Sequence, residues 1–170
     1  MKKQLIIGAL LVLLILVAAV LPVAAKGNKV EFEGVAKSAP VPPLDFGDCI
    51  YPDGREHCRG FVVLGEIDVT DDRLDGTETV TMNWNFRLVP PPVLFTGPWW
   101  GRSQIVNDNG YWNTTITGGR DEQGIGHIRV VAHGHGDYEG LKAFFAGSRV
   151  SPDPSSDFII SGYILEPGNK

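Results

Sequence analysis

One ten-residue stretch, AHGHGDYEGL at residues 132–141, concentrates residue types that could do chemistry. It holds two of the four histidines, two carboxylates and three glycines. On a strand, His133 and His135 leave the same face, a spacing from which two imidazoles can bind one metal ion. A bulge at Gly134 or Gly136 would reverse that alternation, and polar residues on an outer surface are the alternative. We therefore do not predict a metal site. His133 and His135 are kept as the candidate ligands for the alternative in which a metal binds.

The carboxylates of the same stretch suggest acid/base chemistry. Asp137 and Glu139 could exchange protons with a ligand if one were buried, because burial shifts a carboxyl pKa. The alternative is that they are solvated or accept hydrogen bonds from the amides of the turn. We take Glu139 as the candidate catalytic residue and as a ligand contact. A phosphate loop is excluded, because the glycine spacing does not match Gly-x-Gly-x-x-Gly and no helical pattern follows.

Two tryptophans lie in segments that alternate between apolar and polar residues. Trp84 belongs to TVTMNWNFRLV at residues 79–89, and Trp112 belongs to YWNTTITG at residues 111–118. Inward-facing tryptophans either fill a core or line an apolar cavity. The candidate ligand-binding residues are Trp84, Trp112, Tyr138 and Glu139. The acid-rich segment at residues 68–78 is predicted to be a plain connection between strands.

The only two cysteines, Cys49 and Cys58, flank a Pro-Asp-Gly turn in CIYPDGREHC. An even count in an exported chain indicates a disulfide, and the turn brings the two sulfurs together. A metal alternative would have only His57 as a nearby further ligand. We predict the Cys49–Cys58 disulfide.

The remaining pattern is typical of an all-β chain. Five stretches alternate with the period of a half-buried strand, and turn signals separate them. No helical apolar stripe is present after the N-terminal segment, and 21 glycines and 12 prolines fit a turn-rich domain. Seven or eight strands in one small domain favour a sandwich or a closed antiparallel barrel, and closure removes the exposed edges. We predict a single closed barrel of about eight strands.

The N-terminus predicts export. Lys2 and Lys3 precede an uncharged, mostly apolar run at residues 5–25 that ends in small residues. We expect residues 1–25 to be a signal peptide cleaved before Lys26; the alternative is an uncleaved anchor, the one membrane contact we expect. The domain then spans residues 26–170 and is secreted or extracytoplasmic. Its balance of 13 basic against 20 acidic residues argues against nucleic-acid binding.

The stretch GHGDYEGL also resembles the Gly-x-Gly-x-x-Glu-Gly element of the allene oxide cyclase and dirigent-like barrels. The match is at Gly134, Gly136, Glu139 and Gly140, and the long strand pattern LKAFFAGSRV follows. The resemblance implies an eight-stranded barrel, often a homo-oligomer, with a mainly apolar lumen. Enzymes of that kind cyclise or orient small molecules without a metal or organic cofactor. In this barrel the glycines would permit the tight curvature of the strand.

Together these patterns lead to an exported barrel with a non-enzymatic role, which either binds a small apolar molecule or is purely structural. The alternatives are a cofactor-free cyclase or isomerase and a histidine-based metal binder. An open cavity with a titratable side chain facing it would favour the enzyme, with Glu139 as the first candidate. A filled interior with Glu139 in solvent would favour the structural role. No cofactor is expected.

Overall fold

A computed structural model describes residues 27–38, 43–90, 95–153 and 155–168, and it is all-β. A single 3₁₀ turn at Pro52–Gly54 interrupts the strands, and no helix in the described ranges is long and apolar enough to cross a membrane. The predicted signal segment at residues 1–25 lies outside the described residues. The described residues form nine strands, which are β1 Asn28–Ser38, β2 Asp48–Ile50, β3 Arg55–Val69, β4 Gly76–Leu88, β5 Phe95–Asn107, β6 Gly110–Arg120, β7 Gly126–Gly136, β8 Lys142–Arg149 and β9 Phe158–Glu166.

The strands form one antiparallel sheet that closes into a ring. Each strand from β3 to β8 pairs with the next along the chain, and β1 pairs with both β9 and β3. One edge of β3 is shared: β1 covers Gly65–Val69, and β2 covers His57–Arg59. The predicted all-β antiparallel class is confirmed. The short β2 was not predicted, because three residues are too few to show an alternating pattern.

The alternating segments do place their apolar residues inside the ring. On β7, Ile128 and Val130 are buried while the alternate residues Arg129 and Val131 are exposed. The last strand is apolar on both sides in sequence, yet only one side is covered: Ile160 is buried and Ile159 is 55% exposed. Inward and outward positions are thus set by the two-residue period of the strand.

One end of the ring interior is fully packed. Trp112 is completely buried and stacks on Tyr138 with ring centroids 5.4 Å apart. The indole Nε1–H of Trp112 donates to the carbonyl of Arg73 at 2.7 Å. The hydroxyl of Tyr138 donates to Oδ1 of Asn107 at 2.8 Å. Both polar groups are therefore satisfied, and aromatic surface closes this end of the ring.

The glycines after Ala132 make this closure sterically possible. A Cβ on Gly134 would lie 2.7 Å from Cβ of Tyr138 and even closer to the Tyr138 carbonyl oxygen. Gly136 and Gly140 have φ of +71° and +85°, a region that favours glycine. Gly136 ends β7, and the chain then turns back beneath Trp112. The close approach occurs at Gly134, whereas Gly140 provides the turn conformation.

Candidate functional site

The other part of the interior is a cavity of about 720 Å³. This volume lies within the roughly 300–1,000 Å³ that is usual for small-molecule sites. Its wall is mainly aromatic and aliphatic, and its principal large side chains are Phe61, Met82, Trp84, Phe86, Trp99 and Phe158. The cavity extends toward the end of the ring where β6 ends and β7 begins.

Aromatic side chains on β3 and β4 form one wall. The ring of Phe61 meets Trp84 edge-on at 5.1 Å, and Trp84 stacks on Phe86 at 5.7 Å. Phe46, in the segment before β2, packs edge-on against Phe61 at 6.3 Å. The disulfide joins Cys49 to the fully buried Cys58, which lies opposite Trp84 in the β3–β4 register. It therefore holds the Phe46 segment against the cavity wall, and the predicted pairing is confirmed.

The indole of Trp84 has a polar group without a partner. Its Nε1 is buried and has no hydrogen-bond acceptor among the residues that the structure describes. Leaving a buried donor unsatisfied costs about 1–3 kcal/mol. Groups of this kind are uncommon in folded proteins, and a catalytic role or a bound water or ion is among the explanations for them. This unpaired indole N–H lies in the wall of the cavity and not at the packed end.

One carboxyl group, that of Glu78, faces the cavity. Glu78 is half-buried, and the Oγ–H of Ser103 donates to its Oε1 at 2.5 Å. Thr114 Oγ1 lies 2.5 Å from Ser103 Oγ and accepts a hydrogen bond from the Ser103 backbone N–H at 3.1 Å. Burial raises the pKa of Glu78, and the Ser103 hydrogen bond opposes that rise. Burial thus favours a neutral carboxylic acid that can donate a hydrogen bond into an apolar space.

Two guanidinium groups lie at the end of the cavity away from the packed end, which we call the open end. They belong to Arg120 at the end of β6 and to Arg149 at the end of β8. Burial, together with the nearby positive charge of Arg120, lowers the pKa of Arg149. The cavity wall therefore carries an acid whose neutral form is favoured by burial, and two cations lie at one end of the cavity.

The predicted ligand-binding residues divide between these regions. Trp84 lines the cavity, whereas Trp112 and Tyr138 lie in the packed end and are not part of the cavity wall. Glu139 lies on the outside of the ring, with its side chain 75% exposed and Oε2 at 3.4 Å from Nδ1 of His135. Glu139 therefore faces solvent and not the interior of the ring. The turn after Gly136 directs Tyr138 inward, and its neighbour Glu139 consequently points to solvent.

Glu78 was missed because it was assigned to an acidic connection. In the structure β4 begins at Gly76, so Glu78 shares the inward parity of Val80, Met82 and Trp84. The alternation of inward-facing residues on β4 includes Val80, and continuing it two residues toward the N-terminus reaches Glu78. A single acid in register with an apolar face is the pattern that would have found it.

The candidate metal-binding histidines also lie outside the ring. His133 is exposed on β7, and His135 stacks on Tyr111 with centroids 4.8 Å apart. They leave the same face, as their spacing predicts. Across the described ranges, no group of three or more His, Cys, Asp or Glu side chains is arranged to hold a metal ion.

Comparisons with protein-family models, with curated proteins and with solved structures each found no match for this chain. The resemblance to allene oxide cyclase and dirigent-like barrels thus rests on the short glycine-rich motif alone. The cavity and the groups that face it are the structural features from which a function can be inferred.

Proposed function

We propose that this chain is an exported β-barrel protein whose lumen binds a small, mainly apolar molecule. The observation that carries the proposal is the interior cavity of about 720 Å³ with its aromatic wall. A purely structural domain would gain stability by filling that space, because unfilled apolar volume forfeits packing energy. The signal-like N-terminus predicts export, and the Cys49–Cys58 disulfide is consistent with an extracytoplasmic location. The allene oxide cyclase-like and dirigent-like architecture belongs to the same proposal.

Native mass spectrometry of the exported protein tests whether a small molecule is retained. A titration with the neutral fluorophore N-phenyl-1-naphthylamine tests the cavity directly. Val63→Trp fills the cavity, because Val63 is part of its wall. We expect this variant to lower probe affinity at least tenfold, whereas Val131→Trp on the outer face should change it less than twofold. Equal affinity in both variants would place the probe elsewhere and refute the proposal.

A second candidate function is a cofactor-free isomerase or cyclase, in which Glu78 takes the role that was assigned to Glu139. The supporting observation is that the carboxyl of Glu78 faces an apolar cavity and has a raised pKa. An acid of this kind has a proton affinity closer to neutral pH, which suits proton transfer. The cavity would supply orientation, since a held conformer reacts faster than a free one.

The ring opening of 5-nitrobenzisoxazole tests this second function, because it is an isomerisation that needs only a base. The carboxylate of Glu78 would take the proton from carbon as the N–O bond breaks, giving a cyanophenolate. We expect Glu78→Gln to abolish the rate above background while N-phenyl-1-naphthylamine still binds. The exposed Glu139→Gln is the matched control. A wild-type rate at background, or an undiminished rate in Glu78→Gln, would refute Glu78 as the base.

A further inference from the structure

The two arginines at the open end of the cavity are brought together by three neighbouring strands. Gly126 on β7 is the register partner of Arg120 on β6. The side chain of Arg149, from β8, passes directly beside Gly126, with its Cδ 3.1 Å from the position that a Cβ on Gly126 would take. The guanidinium of Arg149 lies 4.4 Å from the centre of the Phe158 ring. A glycine at 126 thus lets Arg149 extend across β7 toward Arg120.

Neither guanidinium has a carboxylate partner. In the described ranges no Asp or Glu oxygen lies within 4.0 Å of Arg120 or Arg149, although four other arginine or lysine side chains do form such pairs. The rest of the chain, residues 1–26, 39–42, 91–94, 154 and 169–170, contains no Asp or Glu. Two half-buried cations side by side repel each other, so the pair is costly without an anion.

The arginines are nevertheless held in place. Arg120 donates from Nε to the carbonyl of Gly124 at 2.8 Å and from Nη2 to the carbonyl of Pro152 at 2.5 Å. Arg149 donates from Nη1 to the carbonyl of Ser156. Each guanidinium has five N–H groups, so most of them remain for a ligand. Backbone carbonyls orient the two side chains without neutralising them.

We infer that Arg120 and Arg149 form an anion-binding rim, so that the lumen takes a small organic anion whose apolar body lies against the aromatic wall. This inference rests on the proposed function and adds the chemical class of the ligand. Arginine suits this role because its planar fork binds the oxygens of carboxylate, sulfonate or phosphate groups in pairs.

The other charged groups of the cavity wall do not oppose this assignment. Lys37 is already paired with Asp68 at 2.7 Å. Burial favours the neutral form of Glu78. Asp153 attracts both Arg149 and Arg120, and Asp157 attracts Arg149, but neither carboxylate lies within 4.0 Å of a guanidinium nitrogen. The positive charge at the rim is therefore the main uncompensated charge that a bound ligand would meet.

Two fluorophores with nearly the same apolar body separate the anion from the apolar contribution. They are 8-anilinonaphthalene-1-sulfonate, which is an anion, and N-phenyl-1-naphthylamine, which is neutral. For protein recovered from the exported fraction, we expect the sulfonate to bind at least fivefold more tightly and to weaken as NaCl is raised from 20 to 500 mM. Arg120→Gln and Arg149→Gln should each lower sulfonate affinity at least fivefold and change neutral-probe affinity less than twofold. Arg102→Gln, an exposed residue on β5, is the control and should change neither.

Each outcome decides between the two proposals. Equal binding of both probes, with no salt dependence and no effect of either substitution, would overturn the anion rim while the lumen proposal stands. Absence of binding by both probes, or binding that Val63→Trp leaves intact, would overturn the lumen proposal itself. If Arg149→Gln does not fold, the Arg120→Gln variant and the wild-type salt dependence still decide the question.

Discussion

The two ends of the ring interior are built from the same alternating strands but differ in what fills them. At the packed end, Leu74 and Tyr138 from connecting segments close over Trp112, and all three are buried. At the other end, Trp84 and Phe86 stack along the wall and leave a cavity. The comparison shows that in this ring the connecting segments, more than the strands, decide whether the interior is core or binding site.

Polar satisfaction differs in the same way. The indole N–H of Trp112 has a backbone acceptor at 2.7 Å, whereas the indole N–H of Trp84 has no partner among the described residues. At the packed end the indole N–H of Trp112 and the hydroxyl of Tyr138 both have acceptors, which supports stability. The cavity wall instead carries an indole N–H without an acceptor, a half-buried acid and two arginines without a carboxylate partner. We therefore expect the functional site at the cavity end, where polar groups without partners reduce stability.

The largest expected effect is the contrast between two tryptophan truncations. Trp112→Ala should lower the free energy of unfolding by about 3–5 kcal/mol, because it opens a void in a filled core. Trp84→Ala should lower it by less than about 2 kcal/mol, since the side chain already borders a cavity and loses fewer contacts. Urea denaturation measures both. Equal losses would mean that the two ends are packed alike, and the comparison would fail.

The second effect is the contribution of the disulfide to the open end. The double variant Cys49→Ala/Cys58→Ala should lose about 2–3 kcal/mol of stability, as expected for so short a loop. Hydrogen exchange should accelerate at residues 55–63 of β3 and stay unchanged at residues 128–134 of β7. Reduction of the wild type with dithiothreitol should reproduce the loss, and the double variant should not respond to it. Acceleration at both ends alike would show that the disulfide stabilises the ring as a whole.

The smallest expected effect is a pH-dependent cost of Glu78. Its folded-state pKa is raised by burial, so between the unfolded pKa and that raised value the folded state binds more protons than the unfolded state. Stability should therefore fall as pH rises through this window, and the cost should be complete above the raised pKa. Glu78→Gln removes the ionisation, so its Tm should exceed that of the wild type increasingly from pH 4 to pH 8. Glu31→Gln, at a carboxyl that is 78% exposed on β1, is the control substitution.

Much of the fold could be predicted from the alternation and spacing of residues in the sequence. The alternation on β4 places Val80, Met82 and Trp84 on one face, and the structure has them there. The Cys49–Cys58 pair followed from a short turn-bearing spacing. These predictions depend on neighbours within a few residues, where strand geometry and turn chemistry act directly.

The candidate site was harder to predict from the sequence than the fold. The side on which Glu139 lies depends on the turn after Gly136, and a one-residue change of phase reverses it. Glu78 could be assigned to the interior only once β4 was known to begin at Gly76. Arg120 and Arg149 are separated by β7 and a connecting turn, so no local pattern joins them.

By itself the sequence determined an all-β chain, the positions that can face inward along each strand, one disulfide and an export-like N-terminus. Those properties follow from residue types and from spacings of two to ten residues. Only the tertiary structure decided that one end of the interior is filled and the other is open, and which charges meet there. The physical reason is that closure of the ring and the path of its connections bring together residues whose contacts are long-range in the chain, and no local periodicity encodes such contacts.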